Sequence, residues 1–219
     1  QQARTADGWG AGTAKLTFSV SDTAANVAST AAGNADALKQ AASITVTSAA
    51  LVSEAAVLSD MANVARYTIQ DTAANVANAL NTLNGANASD RNTVLEAASI
   101  TLTTAATVAQ AAGVAGTAGT GEKLGLVAVP GLAFRVNDTA ANIVAALRDP
   151  ARSAAVLNAT TVGLSSDAGA TIADLNFLTD LLGTQFRNHD HDANAATAAR
   201  YYIADSVANI LAADQTFVE

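Results

Sequence analysis

The 219-residue chain contains no cysteine, which excludes disulfides, thiolate-held metals and thiol nucleophiles. Aromatic residues are only 4% of it, so burial cannot rest on large rings. Basic side chains are scarce: 11 Lys and Arg stand against 19 Asp and Glu, for a net charge of −8. Nucleic-acid phosphates need a basic footprint, and so does docking on anionic lipid; no such partner is expected. There is no run of about 18 apolar residues, so no membrane insertion is expected either. No signal peptide is visible. The chain opens on Gln1-Gln2 and stops at Glu219 inside a repeat, which reads as a segment of something longer. Also missing are a Gly-rich nucleotide loop, a nucleophile elbow, an EF-hand loop and the calcium-binding GGxGxD nonapeptide.

What the chain has is alanine, about a quarter of its residues, and repetition. Small side chains let backbones approach closely, which suits stacked units better than a bulky core. The hexapeptide Asp22-Thr-Ala-Ala-Asn-Val27 returns unchanged at Asp71–Val76. It returns as Asp138-Thr-Ala-Ala-Asn-Ile143 and as Asp205-Ser-Val-Ala-Asn-Ile210. The spacings are 49, 67 and 67 residues. Each copy follows a short β-like run: Phe18-Ser-Val-Ser, Tyr67-Thr-Ile-Gln, Phe134-Arg-Val-Asn and Tyr202-Ile-Ala. A second motif lies between the copies: Ala42-Ser-Ile-Thr-Val-Thr-Ser48, Ala98-Ser-Ile-Thr-Leu-Thr-Thr104 and, more loosely, Thr161–Asp167. Helix-like stretches follow it at Ala49–Val64, Ala105–Gly113 and Ala168–Leu182. One repeat therefore reads strand, helix, strand, helix.

The strands are inferred from β-branched or aromatic residues alternating with polar ones, as in Ile44 and Val46 against Thr45. The helices are inferred from capping. Asp22, Asp71, Asp138 and Asp205 are expected as N-caps, accepting from the free N–H groups of the first turn and complementing the helix dipole. Ala73, Val76, Ala77 and Leu80 then share one helix face. Strand–helix repetition implies parallel strands. The expected fold is an α/β solenoid with a parallel sheet and about four repeats, starting near 16, 66, 132 and 200. A doubly wound globular α/β fold is the alternative. Residues 1–15 are expected to form a flexible or partner-docking arm ahead of the 16–219 repeat domain. Residues 84–92 and 113–131 read as turn-forming insertions.

Asn26, Asn75, Asn142 and Asn209 each sit four residues after the aspartate. Asn suits a helix interior only when its amide is used. The expected use is a structural ladder bonding neighbouring turns. Both histidines of the chain fall in His189-Asp190-His191-Asp192; an HxH pair flanked by carboxylates is a candidate divalent-cation site, and the other reading is a polar loop. No cofactor is otherwise expected. Trp9 and Phe217 are candidate subunit contacts, Trp9 as an aromatic anchor near one end of the chain.

The units YTIQDTAANVANAL and AASITLTTAATVAQAAG resemble the Ala/Thr-rich "DTAANI" repeats of very large secreted bacterial surface proteins, S-layer-like and adhesin-like, over most of residues 16–213. The resemblance implies an extracellular or cell-surface location and a structural role. It brings no catalytic residues with it. The expectation is a non-enzymatic structural repeat protein whose partners are copies of itself, forming a layer, sheath or filament. An adhesin module that binds a cell-surface glycan through the 113–131 insertion is the first alternative. A polysaccharide-acting enzyme is the second, and it would require clustered carboxylates in a groove.

Overall fold

Four-residue segments with an apolar residue at the second position form most of the strands. In the computed structural model, which describes residues 17–80, 88–115, 132–165, 169–186 and 202–213, they pair in parallel. β1 (Ser19–Asp22) pairs with β2 (Ser43–Val46), with Val20 opposite Ile44. β3 (Thr68–Asp71) pairs with β4 (Ser99–Leu102), Ile69 opposite Ile100. β5 (Arg135–Asp138) pairs with β6 (Thr161–Leu164), Val136 opposite Val162. A shorter pair, β7 (Gly169–Ala170) with β8 (Tyr202–Ile203), puts Ala170 opposite Ile203. Ile44, Ile69, Ile100, Val136 and Val162 are buried, while Thr45, Thr68 and Thr101 are exposed. That is the period-two alternation of a sheet with one covered face.

Helices fill the crossovers. α1 (Ala24–Lys39) follows β1, and α2 (Val52–Ser59) follows β2. α3 (Ala73–Leu80) and α4 (Ala88–Glu96) lie between β3 and β4, with α5 (Val108–Ala115) after β4. α6 (Ala140–Arg148) and α7 (Ser153–Leu157) lie between β5 and β6, and α8 (Ile172–Leu182) follows β7. α9 (Val207–Ala212) follows β8. Each repeat thus has a leading strand and helix (β1–α1, β3–α3, β5–α6, β8–α9). The first three also have a trailing strand and helix (β2–α2, β4–α5, β6–α8). The fold is mixed α/β with small parallel sheets and no closed barrel.

Two sequence expectations change here. The run 84–92 is not a turn from Ala88 onward, because α4 begins there; α4 and α7 are second crossover helices, and α1 has its counterpart beyond a break at Asn34 (φ −151°, ψ 58°). Nor do the described strands form one long sheet. The first three pairs are extended only by single bridging residues: Val64 beside Ile44, Ala50 beside Ile69, and Ala106 beside Val136 with Phe186 beside Val162. After β2 and β4 the chain pairs at one residue, Ala50 or Ala106, and after β6 at two, Gly169 and Ala170, before it turns into the trailing helix.

Ala50 and Ala106 are fully buried, and Ala170 nearly so. Each pairs in parallel with the next repeat's leading strand. Trailing helices pack on two repeats at once: α2 against α1, α3 and α4; α5 against α3, α6 and α7. The α3–α5 contact is close: a methyl on Gly113 would lie 3.6 Å from the Ala77 Cβ. Among the described residues no helix is long and apolar enough to cross a membrane.

Tyr67 shows how polar groups enter this core. Its hydroxyl donates to the Thr93 carbonyl at 2.7 Å, and the Thr93 hydroxyl lies 3.0 Å from that of Ser59. Burial, helped by the charge of Glu96, pushes the phenol pKa up to about 12. A raised folded-state pKa means the folded form holds its proton longer than the unfolded chain does. The associated stability is complete below about 10 and is lost as pH rises toward 12. Tyr67→Phe, which has Phe18 and Phe134 as natural counterparts, should cost about 1 kcal/mol at neutral pH. It should also flatten the decline of the urea midpoint between pH 9.5 and 11.5.

Gly169 marks the tightest strand approach. A methyl there would collide with the Ala204 side chain and lie 2.8 Å from the Tyr202 ring. Gly169→Ala should destabilise by roughly 1–3 kcal/mol through overpacking and speed amide exchange in residues 202–204. Gly163→Ala, whose methyl would meet nothing nearer than the Val136 carbonyl at 4.0 Å, should be neutral in the same urea titration.

Candidate functional site: the aspartate junction between repeats

The aspartate of the repeated hexapeptide is the last residue of β1, β3 and β5 and lies two residues beyond β8; at Asp71, Asp138 and Asp205 it serves two helices. In the second repeat, Asp71 Oδ1 accepts from the Thr72 N–H at 2.7 Å and from the Asn75 side-chain amide at 2.8 Å. Asp71 Oδ2 accepts from the Val52 N–H at 3.0 Å. Val52 is the first residue of α2, the trailing helix of the preceding repeat. The geometry recurs at Asp138, with Thr139 at 2.7 Å, Asn142 at 2.8 Å and the Val108 N–H of α5 at 2.8 Å. It recurs again at Asp205, with Ser206 and Asn209 at 2.7 Å and the Ile172 N–H of α8 at 3.0 Å. Asp22 has no described unit before it; its Oδ1 makes the two local bonds, to Thr23 and Asn26, at 2.8 Å each.

These distances correct the expected roles of the aspartates. Asp22, Asp71 and Asp138 end a strand and Asp205 lies two residues beyond β8, and none is the N-cap of the helix that follows it. The capping residue is the next one: Thr23, Thr72, Thr139 and Ser206 accept from the N–H of Asn26, Asn75, Asn142 and Asn209 at 3.1–3.3 Å. A hydroxyl one residue closer to the helix reaches the third N–H, which leaves the longer-reaching carboxylate to turn outward. The Asn ladder is corrected as well. Asn26, Asn75, Asn142 and Asn209 each send their amide back to the aspartate of their own repeat. Four residues is one helical turn, so the amide lies over the strand end and not beside the next repeat.

The leading helices are tied by a complementary bond. The Ala24 N–H donates to Ser48 Oγ, and the Ala73 N–H donates to Thr104 Oγ1, each at 3.0 Å. Ser48 and Thr104 lie two residues beyond the trailing strands. The first N–H of each of these helices is therefore satisfied by a side chain from the next strand along the chain. Side-chain amides serve the other helix ends: Asn63 donates to the Leu38 and Ala41 carbonyls, and Gln185 to those of Val156, Leu157 and Ala159. Sequence reading missed Ser48, Thr104, Asn63 and Gln185 as connectors. The one available signal was the hydroxyl pair closing each trailing-strand motif, Thr47-Ser48 and Thr103-Thr104.

Hydrogen bonds from Asn26 and then Thr23 hold the Asp22 carboxyl below the usual range; at Asp205 the causes are Asn209, then Ile172 and Ser206. Lowered folded-state values mean that this stabilisation is present above the ordinary carboxylate pKa of 3.8 and is lost as pH falls through the folded value. Beside the second junction lies a cleft of about 310 Å³, lined by Leu51, Val52, Ser53, Asp71, Asn75, Asn78 and Ala79. Asp71 is already committed to three donors there, so the site is suited to joining elements. Among the described residues no three His, Cys, Asp or Glu side chains gather to hold a metal ion. His189, Asp190, His191, Asp192, Trp9 and Phe217 lie outside the described residues.

Comparison of the chain with protein-family models, curated proteins and solved structures finds no match.

Asp71 is buried and bridges two repeats. Asp71→Asn would turn an NH₂ group toward an N–H donor whichever way the amide is oriented. The expected loss is roughly 2–3 kcal/mol, with faster exchange at the α2 N-terminus. Asp22→Asn, lacking the second helix, should give a smaller loss in the same denaturation series; equal losses would refute the bridging role.

Proposed function

We propose that this chain is an extracellular structural repeat protein. Its strand–helix units build an α/β solenoid that associates with copies of itself into a surface layer, sheath or filament. The observation that carries this reading is the recurrence of one junction, a carboxylate gripping the trailing helix of the repeat before it, at Asp71, Asp138 and Asp205. Repetition of the same bond at successive boundaries suits a scaffold, where stability is summed over units and their interfaces. One-site chemistry gives no reason for it.

Three further observations support the reading. Ala50 and Ala106 let each repeat's first strand lie against the repeat before. The hexapeptide resembles repeats of secreted surface proteins. The acidic, cysteine-free composition fits a molecule held together by repetition instead of cross-links.

Electron microscopy of the purified protein, with and without EDTA, tests the proposal. Ordered sheets or filaments are expected. Their loss in EDTA would add a divalent cation at the contacts, with His189 and His191 the first residues to substitute. Dispersed single particles in both conditions would overturn self-assembly and shift the reading to an adhesin module, which a glycan-binding screen would then address.

A further inference from the structure

The fourth repeat displays in the open what the others bury. Alignment on the hexapeptide puts Ile210 at the place of Val76 and Ile143, and Leu211 at that of Ala77 and Val144. Val76 and Ile143 are 0% exposed, Ala77 5% and Val144 4%. Leu211 is 81% exposed, Val207 is 72% exposed and Ile210 is only half-buried. The internal repeats identify what covers this face: α2 packs on α1, α5 on α3 and α8 on α6. In every case the cover is the trailing helix that follows the next strand.

The sheet carries the same message. Ile69 stands between Ala50 and Ile100, and Val136 between Ala106 and Val162. Ile203 has Ala170 on one side. Among the described residues no strand lies beside β8 on its other edge. Two polar positions complete the outline. The Asp22, Asp71 and Asp138 carbonyls accept from Thr47, Thr103 and Ser165 just beyond the trailing strands. The first N–H groups of α1 and α3 donate to Ser48 and Thr104. Their counterparts in the last repeat are the Asp205 carbonyl and the Val207 N–H.

We infer that β8 and α9 form a docking face for a strand–helix half-repeat with the pattern of Ser99–Ala115. The occupant has a β-branched residue opposite Ile203, a Ser or Thr pair closing the strand, and a helix with an apolar face. An exposed apolar face beside an open strand edge is the surface that such a unit buries. The inference deepens the scaffold reading and rests on it only for the equivalence of the four repeats.

The test uses the full chain extended after Glu219 by a Gly/Ser linker and a duplicate of residues 97–115. A second version carries a duplicate of residues 43–59, in case the first fails to fold. A short flexible linker supplies millimolar effective concentration. Amide exchange in Val207–Ala212 should slow about tenfold or more relative to the unextended chain, and Leu211→Asp in the extended chain should abolish the slowing. Unchanged exchange in both extended chains would overturn the inference. So would protection of α9 in the unextended chain that grows with protein concentration, since the occupant would then be a second copy. Docking in the extended chain while the unextended protein stays dispersed in micrographs would uphold the docking face and reject self-assembly.

Discussion

A helix leaves its first N–H groups without intrahelical partners, and in this protein those groups are satisfied from the next strand along the chain. Asp71, Asp138 and Asp205 each reach back to the helix before and, with the other oxygen, hold the turn that starts their own helix. The hydroxyls of Ser48 and Thr104 do the same for the leading helices. The parallel pairing, the crossing of strands at Ala50 and Ala106 and the packing of trailing helices on two repeats all presuppose that these ends meet. Without the carboxylate, the N-terminus of a short helix such as α2 would be left near a buried boundary with an unpaired donor, a cost comparable to a lost charged hydrogen bond.

Small side chains let that junction close. Ala50, Ala106, Ala111 and Ala140 are buried almost completely. Gly169 beneath Tyr202 carries the same requirement to its limit. The low aromatic content therefore reflects a packing geometry in which backbones come near one another and the larger Ile, Val and Leu side chains fill what remains. Where rings do enter, they span elements: Tyr67 reaches α4 through Thr93, and Phe177 of α8 carries the Arg148 guanidinium of α6 at 5.0 Å from its centroid.

The repeats are equivalent in connection and unequal in surroundings. Asp71 sits at a buried boundary and Asp22 at the edge of the described chain, though their local bonds match. Val76 is fully buried on α3, which packs against α5, whereas its counterpart Ile210 is only half-buried on α9, over which no trailing helix lies among the described residues. The same hexapeptide thus gives a core element in one place and an open face in another. In a repeating architecture each unit owes much of its burial to its neighbours.

Much of this was legible in the residues themselves. Alternation in Ser-Ile-Thr-Val and the recurrence of Asp-Thr-Ala-Ala-Asn determine the leading and trailing strand–helix units and the buried face of α3, because those features depend on local periodicity. Local periodicity could not show that α4 starts at Ala88, or that the sheets stay two strands wide. It also could not tell a carboxylate that caps its own helix from one that grips the helix before it. From sequence, Asp71 and Thr72 are both good caps, one residue apart, and Val52 lies nineteen residues away. Only tertiary structure decides between them, because the choice depends on which N–H group the folded chain brings within 3.0 Å of the free oxygen.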